Sequence, residues 1–159
     1  MTQFLGTIND RKILYVDIGN DNFKFTPSNP QNWLLFIIEN DIHNPMLESF
    51  AESCIDNDVM YVCSAGKASS EVDDLFDTLM VLRQIEKRSL PKWFNSDSDV
   101  LMTSWHDNFD EGFWFATTTA NYEDNIIHSV FVANMTSVDH MDKIKDLISK
   151  INDGWLPSD

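Results

Sequence analysis

The chain has few cysteines, no apolar run of membrane length and a start unlike that of a secretory signal. Its 159 residues include only two cysteines, Cys54 and Cys63, so a disulfide scaffold has no support and reduced thiols are expected. No apolar run approaches the roughly 20 residues that span a bilayer, and the polar start at Met1 lacks the basic region and apolar core of a secretory signal. We therefore expect a cytoplasmic protein that does not enter the membrane.

Basic residues are also scarce. The chain has 11 Lys and Arg against 26 Asp and Glu, and its formal net charge is −15. No Lys or Arg lies between Phe25 and Gly66, or between Trp93 and Asp142, although acids are frequent in both stretches. This asymmetry predicts a negative field that makes nucleic acid and anionic membranes poor partners and attracts a basic protein. The alternative is that the acidity only keeps the protein soluble.

What is present is the composition of a folded globule. Hydrophobic residues make up 43% of the chain and aromatic residues 12%, which excludes a disordered acidic protein. The length suits one domain with its own core, and no repeat or low-complexity segment appears. We predict a single α/β domain over residues 1–159.

The central element is the apolar run from Asp58 to Cys63, which reads as a buried strand. Small residues follow it up to Ser70. Apolar residues then recur at helical intervals, and Ser70 with Asp73 has capping-box spacing, so a helix is predicted from about Ser70 to Lys87. Pro91 ends any continuation of that helix.

The rest of the chain alternates strands with helices. Together these elements predict a three-layer, open, mostly parallel sheet of about five strands, with about four helices on both faces. The junction between the first two main strands has no helix, so the first strand is either antiparallel or placed differently. The other predicted strands are Lys12–Ile18, Trp33–Glu39, Val100–Ser104 and Ser129–Asn134, with short β segments at Phe4–Leu5 and Phe23–Phe25. The other predicted helices run from the Asn44 cap and Pro45 to about Ile55, from an Asn108–Glu111 capping box to Ala120, and from a Ser137 cap to Ile151.

Ligands of open α/β sheets bind outside the carboxyl ends of the strands. That rule nominates polar residues after every strand, and it predicts that the Cys63–Ser70 turn and the Trp105–His106 turn share one edge. The candidate ligand-binding residues are Cys63, Ser64, Lys67, Ser69, Ser70, Trp105, His106 and Asp107. The wider nomination adds Asp17, Gly19, Asn20, Glu39, Asp41, His43, Ser104, Asn134 and Thr136.

The Ser64–Ser70 turn has the small residues, the lysine and the helix N-terminus of an anion cradle. It departs from the Walker pattern, and it departs from the Cys-x5-Arg loop of cysteine phosphatases because Ser69 stands at the arginine position. Cys63 is either a nucleophile beside Lys67 or a buried inert thiol. Asp17 to Lys24 resembles the first phosphate loop of actin-like ATPases, and the alternative is an ordinary turn.

The four histidines, His43, His106, His128 and His140, show no local metal-ligand spacing with one another or with Cys63. We predict neither a metal site nor a cofactor.

Val100 to His106, followed by Phe113-Trp114-Phe115-Ala116, resembles a bacterial family of unknown function that has a Thr-Thr-Trp-His turn and a Phe-Trp-Phe-Ala helix. Ser104 stands where that family has the second threonine. The resemblance implies a fold and no activity.

Two function hypotheses follow. The first is a non-enzymatic acidic interaction protein that binds a basic protein partner, as immunity, inhibitor or defence-accessory proteins do. The second is a small enzyme, or a binder of anions or nucleotides, that uses the Cys63–Ser70 turn.

Overall fold

A computed structural model of the chain describes residues 2–19, 32–96 and 98–158. The predicted segment Phe23–Phe25 and most of the Asp17–Lys24 pattern lie outside the described residues. The described part forms six strands and four helices, in this order: β1 (Gln3–Ile8), β2 (Arg11–Asp17), β3 (Trp33–Ile38), α1 (Leu47–Asp56), β4 (Tyr61–Ala65), α2 (Ser69–Ile85), β5 (Met102–Trp105), α3 (Phe109–Thr118), β6 (Ser129–Asn134) and α4 (Met141–Asn152).

The strands form one mixed, mostly parallel sheet in the order β1-β2-β6-β3-β4-β5. β1 pairs with β2 in the antiparallel sense, and the other four neighbouring pairs are parallel. The α/β class and the four helices are thus as predicted. The sheet has one strand more than the five main strands of the sequence analysis, because the short segment expected at Phe4–Leu5 is a full strand.

The strand order separates β2 from β3, the two strands between which the sequence predicted no helix. β6 lies between these two strands and pairs in parallel with both. β2 therefore runs in the same direction as β3 without touching it, and residues distant in the chain supply the strand between them.

Buried apolar side chains form two clusters, and alternate residues of the four inner strands enter different clusters, as the pleat requires. Trp33, Leu35 and Ile37 of β3 join residues of α1 and α2 in one cluster. Leu34, Phe36 and Ile38 join residues of α3 and α4 in the other. β3 is consequently buried along its whole length, which explains its uninterrupted apolar sequence.

Helix starts differ from the predictions at three places. The Ser70–Asp73 capping box is wrong, because α2 begins at Ser69 and Ser70 Oγ donates to the Glu71 carboxylate at 3.1 Å. α1 begins at Leu47, although Asn44 Oδ1 does accept from Met46 N at 3.0 Å in the turn before it. Asp139, rather than Ser137, accepts from the first amide of α4.

The Asn108 cap of α3 is confirmed, because its side chain accepts from Glu111 N at 3.1 Å. Over the residues that the structure describes, no helix is both long and apolar enough to cross a membrane.

Candidate functional site

The turns after β4 and β5 lie side by side, as the parallel sheet predicts. Ser64 pairs with Trp105 in the ladder between these strands, and His106 N donates to Ser64 O at 3.0 Å. The two stretches are about forty residues apart in the chain. Their carboxyl ends nevertheless meet because adjacent parallel strands end at the same edge.

A cleft of about 390 Å³ opens at this edge, within the size range of small-molecule sites. It lies where α2 leaves β4 toward one apolar cluster while α3 leaves β5 toward the other, so the two connections diverge. Four of the predicted site residues line it: Lys67, Ser69, Ser70 and Asp107. The other lining residues are Ile38, Asn40, Gly66, Phe109 and His140.

The turn between β4 and α2 is held against the end of β3 by its own backbone. Lys67 N donates to Asn40 Oδ1 at 3.0 Å and Ala68 N donates to Glu39 O at 3.0 Å. Gly66 has φ +96°, and a Cβ there would lie 2.4 Å from Glu39 O, so only glycine fits.

These contacts weaken the prediction that the Ser64–Ser70 turn is an anion cradle. A phosphate-binding turn needs free backbone N–H groups. Here the amides of Lys67 and Ala68 already have protein acceptors, and Ser69 N donates to Gly66 O at 3.2 Å. The ammonium of Lys67 remains as the anion contact, since it enters none of the described ion pairs.

Glu39, nominated as an edge residue, is buried and organises its own turn. Its Oε1 accepts from the backbone N–H groups of Asn40 and Asp41, each at 3.0 Å, and its Oε2 accepts from Asn44 Nδ2 at 3.0 Å. Burial raises the pKa of Glu39, and these hydrogen bonds act in the opposite direction. This carboxylate therefore shapes the cleft without facing a ligand.

Other nominated polar residues also hold turns. Asp17 Oδ1 accepts from Gly19 N at 3.2 Å, and Asp41 Oδ1 accepts from His43 N at 2.9 Å. After β6, Thr136 Oγ1 donates to Asn134 Oδ1 at 2.8 Å. Such local bonds are the usual task of short polar side chains at turns.

Cys63 is fully buried among the residues that pack on α3 and α4. Burial raises the pKa of its thiol to about 12, so the thiolate that a nucleophile needs does not form at neutral pH. The alternative reading of Cys63 as an inert buried thiol is the one the geometry supports.

His106 lies beside Ser104, whose Oγ is 3.0 Å from His106 Nε2 and 3.5 Å from Cys63 Sγ. Burial lowers the pKa of His106, which favours the neutral imidazole. A hydroxyl next to an imidazole has the spacing of a nucleophile and its base. The described lining of the cleft contains neither residue, however, and the His106 ring packs on Phe115 with centroids 5.2 Å apart.

Trp105, on the opposite face of β5, is 48% exposed. It ends the strand at the open edge of the sheet and has no share in the described apolar clusters. The reading in which Trp105 simply covers the end of the sheet would bury more of the indole. An exposed tryptophan is instead the kind of residue that dominates protein interfaces.

Ser64 is fully buried on the α2 side of the sheet, and its Oγ has no hydrogen-bond partner in the described structure. The same is true of Asp73 Oδ1 on α2, whose residue is 9% exposed. Burial raises the pKa of Asp73, and the carboxylates of Asp77 and Asp74 raise it further.

Some of the acids that lack a basic neighbour in the sequence gain one in the fold. Arg83, almost fully buried, contacts the carboxylates of Glu52 and Asp56, the latter at 2.8 Å. Lys143 Nζ lies 3.4 Å from Asp110. Asp74, Asp77 and Asp107 take part in none of the described ion pairs, so the negative field persists around β5.

Sequence reasoning missed Asn40 and His140 as cleft residues. Asn40 lies between the nominated residues Glu39 and Asp41 at the end of β3, so the same rule could have nominated it. His140 enters the cleft only because α4 begins beside the β5 turn, which no local pattern shows. Within residues 2–19, 32–96 and 98–158, no group of three His, Cys, Asp or Glu side chains could hold a metal ion.

Comparison with known proteins identifies a family and no activity. No curated protein matches the chain. A family model described as a domain of unknown function (DUF7684) matches residues 13–151, so the expected membership of an uncharacterised family is confirmed. Because that match covers most of the chain, the chain belongs to the DUF7684 family.

Proposed function

We propose that the protein is a non-enzymatic, acidic interaction module that binds a basic protein partner. The observation that carries the proposal is Trp105, 48% exposed at the end of the open edge strand β5. Exposed carboxylates of Asp74, Asp77 and Asp107 lie on the elements next to it. Tryptophan anchors and complementary charge are the usual ingredients of a specific, electrostatically steered interface.

The burial of the Cys63 thiol and the bonding of the turn amides support binding over catalysis. Cys63, the one nucleophile that the sequence singled out, carries a thiol whose pKa is raised to about 12 by burial. The amides of Lys67, Ala68 and Ser69, in the turn expected to cradle a phosphate, are bonded to Asn40 and to backbone carbonyls. A partner of the immunity, inhibitor or defence-accessory type would use the surface instead.

The proposal includes two finer points about the molecule. We infer a three-layer arrangement, supported by the division of the helices between two apolar clusters on alternate strand residues. We also infer a reducing, cytoplasmic location, supported by the two free buried cysteines.

Affinity capture tests the proposal. The chain is immobilised and exposed to lysate of its source organism at low and at high ionic strength. We expect a basic protein that is retained at low salt, released at high salt and lost with Trp105→Ala. Ile126→Ala is the matched control, because Ile126 is 67% exposed on a different part of the chain. A partner held equally at both salt concentrations, or equally by Trp105→Ala, contradicts the proposal.

The cleft supports a second candidate function, the binding of a small anion or nucleotide. The specific observation is that Lys67, Ser69, Ser70 and Asp107 share one cavity of about 390 Å³. The Lys67 ammonium is the main contact for the anion, because the amides of Lys67, Ala68 and Ser69 already have protein acceptors.

A thermal-shift screen with inorganic phosphate, nucleotides and phosphosugars tests this candidate. A ligand at a hundred times its dissociation constant stabilises the fold by about 2.7 kcal/mol. Lys67→Ala should abolish the shift, and Lys145→Ala, at an exposed lysine of α4, should preserve it. The absence of any shift, or a shift that survives Lys67→Ala, rejects the candidate.

A further inference from the structure

β5 is a sheet edge with free backbone groups. In a parallel ladder the N–H and C=O of one residue point to the same side of the strand. His106 N bonds to Ser64 O, and Ser104 pairs with Cys63, so residues 102, 104 and 106 face β4. The N–H and C=O groups of Thr103 and Trp105 therefore point away from the sheet. No strand of the described chain lies on that side.

Apart from the shortness of β5, which has four residues, this edge lacks the features by which proteins protect exposed strands. Edge strands are usually blunted by a charged residue, a proline or a bulge. β5 reads Met-Thr-Ser-Trp and has no charge and no proline. The opposite edge strand, β1, has a register irregularity between Phe4 and Gly6 and packs against α4.

Apolar surface accompanies the open edge. Val81 of α2 is 52% exposed, Val100 before β5 is 59% exposed and Met102 is 39% exposed. Beside them lies a cavity of about 270 Å³, large enough for one apolar side chain. It is lined by Asp77, Met80, Val81, Gln84, Phe94, Asp99, Val100 and Leu101.

Negative charge borders the same edge. Asp77 Oδ1 accepts from Thr103 Oγ1 at 3.0 Å, which places a carboxylate directly at the strand. Asp74 and Asp107 are exposed on the neighbouring elements. A second copy of the chain, with its own net charge of −15, would bring like charges together at such a contact.

The geometry points to strand addition: β5 binds an extended segment of a protein partner that carries basic and apolar side chains two residues apart, so that both kinds lie on the α2 face. This inference rests on the proposed function and specifies how the basic partner docks. The segment pairs its backbone with Thr103 and Trp105, places an apolar side chain in the cavity beside Val81 and places basic side chains near Asp74 and Asp77. Main-chain pairing supplies affinity and the alternate side chains supply specificity.

The test uses the lysine-valine peptide, an octapeptide with the sequence Lys-Thr-Val-Thr repeated twice, which places lysine and valine on the same face of a strand. It is titrated into the full chain labelled with ¹⁵N. We expect the amide signals of Thr103 and Trp105 to shift most, and their hydrogen exchange to slow by about tenfold or more at saturation because both amides become bonded. These measurements need only the wild-type chain. The glutamate-valine peptide, which has glutamate in place of both lysines, should cause neither effect.

Variants at Thr103 separate backbone pairing from side-chain contact. Thr103→Pro removes the outward N–H and leaves the ladder to β4 intact, so binding of the lysine-valine peptide should weaken about tenfold or more. Thr103→Val loses the hydroxyl bond to Asp77 but keeps the N–H, and should bind within about twofold of wild type. Equal binding by Thr103→Pro and Thr103→Val would overturn strand addition.

Three further results would overturn the inference: no shift at Thr103 and Trp105, equal shifts with the glutamate-valine peptide, or a homodimer paired through β5. The proposed function fails separately. If a salt-released basic protein is captured through Trp105 and Thr103→Pro captures it equally, strand addition is wrong and the interaction module stands. If no such protein is captured, the proposed function is wrong whatever the peptide does.

Discussion

Asn40 Oδ1 accepts a hydrogen bond from the backbone N–H of Lys67 at 3.0 Å. The bond joins the turn after β3 to the turn after β4 across the top of the sheet. Together with the bond from Ala68 N to Glu39 O, it fixes the start of α2 and uses amides that an anion would otherwise occupy. A single asparagine therefore both braces the cleft and reduces its capacity to bind phosphate.

Removing the Asn40 side chain should loosen this junction. Asn40→Ala leaves Lys67 N without its acceptor, and we expect the free energy of unfolding to fall by about 1 kcal/mol. Asn40→Asp keeps an acceptor at the same position near a helix N-terminus and should cost little. Urea denaturation measures both changes. Equal losses for the two variants would show that the bond to Lys67 N contributes nothing.

Gly66 should tolerate no side chain. Its φ of +96° strains any L-residue, and an added Cβ would meet Glu39 O at 2.4 Å. Gly154 has the same φ of +96° with no atom within 4 Å of its Cβ position, so it isolates the backbone strain from the clash. Gly154→Ala should lower the free energy of unfolding by about 1 kcal/mol.

Gly66→Ala should cost about 2 kcal/mol more than that, because the clash is with backbone that cannot move aside cheaply. Thermal or urea melts of the two variants, run in parallel, give the difference directly. Indistinguishable melts would mean that the turn after β4 shifts to accept the methyl group.

The strongest sequence signals gave correct elements. β3 was predictable because it is buried on both faces and thus apolar throughout, and α4 because its buried residues Ile144, Leu147, Ile148 and Ile151 recur at helical spacing. β1 was predicted only as a short segment, since half of its residues are exposed and Gly6 interrupts it. The insertion of β6 between β2 and β3 depends on tertiary packing, which no local pattern carries.

The same distinction applies to the site. That the turns after β4 and β5 meet follows from parallel pairing alone. The hydrogen bond from Lys67 N to Asn40 Oδ1 does not follow from any local pattern, because these residues are 27 positions apart. Asp73 was predicted to be part of a capping box, and its burial against the sheet was not predicted. In a chain this acidic, no sequence pattern distinguishes a buried carboxylate from an exposed one.

Both cysteines should be unreactive in the native protein. Burial raises the pKa of Cys63 to about 12 and the pKa of Cys54 well above its ordinary value. Ellman's reagent at pH 8 should therefore titrate neither thiol until denaturant is added, when both react. Rapid labelling of native Cys63, lost in Cys63→Ala, would revive the nucleophile hypothesis. Cys54→Ala is the control for a thiol in the other apolar cluster.

Asp73 should make stability depend on pH. Burial raises its pKa in the folded state above the unfolded value of about 3.9. Between the two pKa values the folded chain binds more protons than the unfolded chain, so this group's contribution to stability falls as pH rises through that window and stays low above it. The unpartnered Oδ1 atom gives the physical reason, since a buried charge without a donor is costly.

Asp73→Asn removes this titration while keeping the shape of the side chain. The difference in unfolding free energy between Asp73→Asn and wild type should therefore increase in favour of the variant from about pH 4 to pH 7. Urea denaturation at a series of pH values measures it. Glu71→Gln, at an exposed position of the same helix, controls for the loss of a carboxylate from α2. A difference that stays flat or reverses with pH would show that the Asp73 carboxylate has a hydrogen-bond donor or a cation beside it in solution. Ser64, whose Oγ is also unpartnered, would then be the first residue to test, by Ser64→Ala in the same assay.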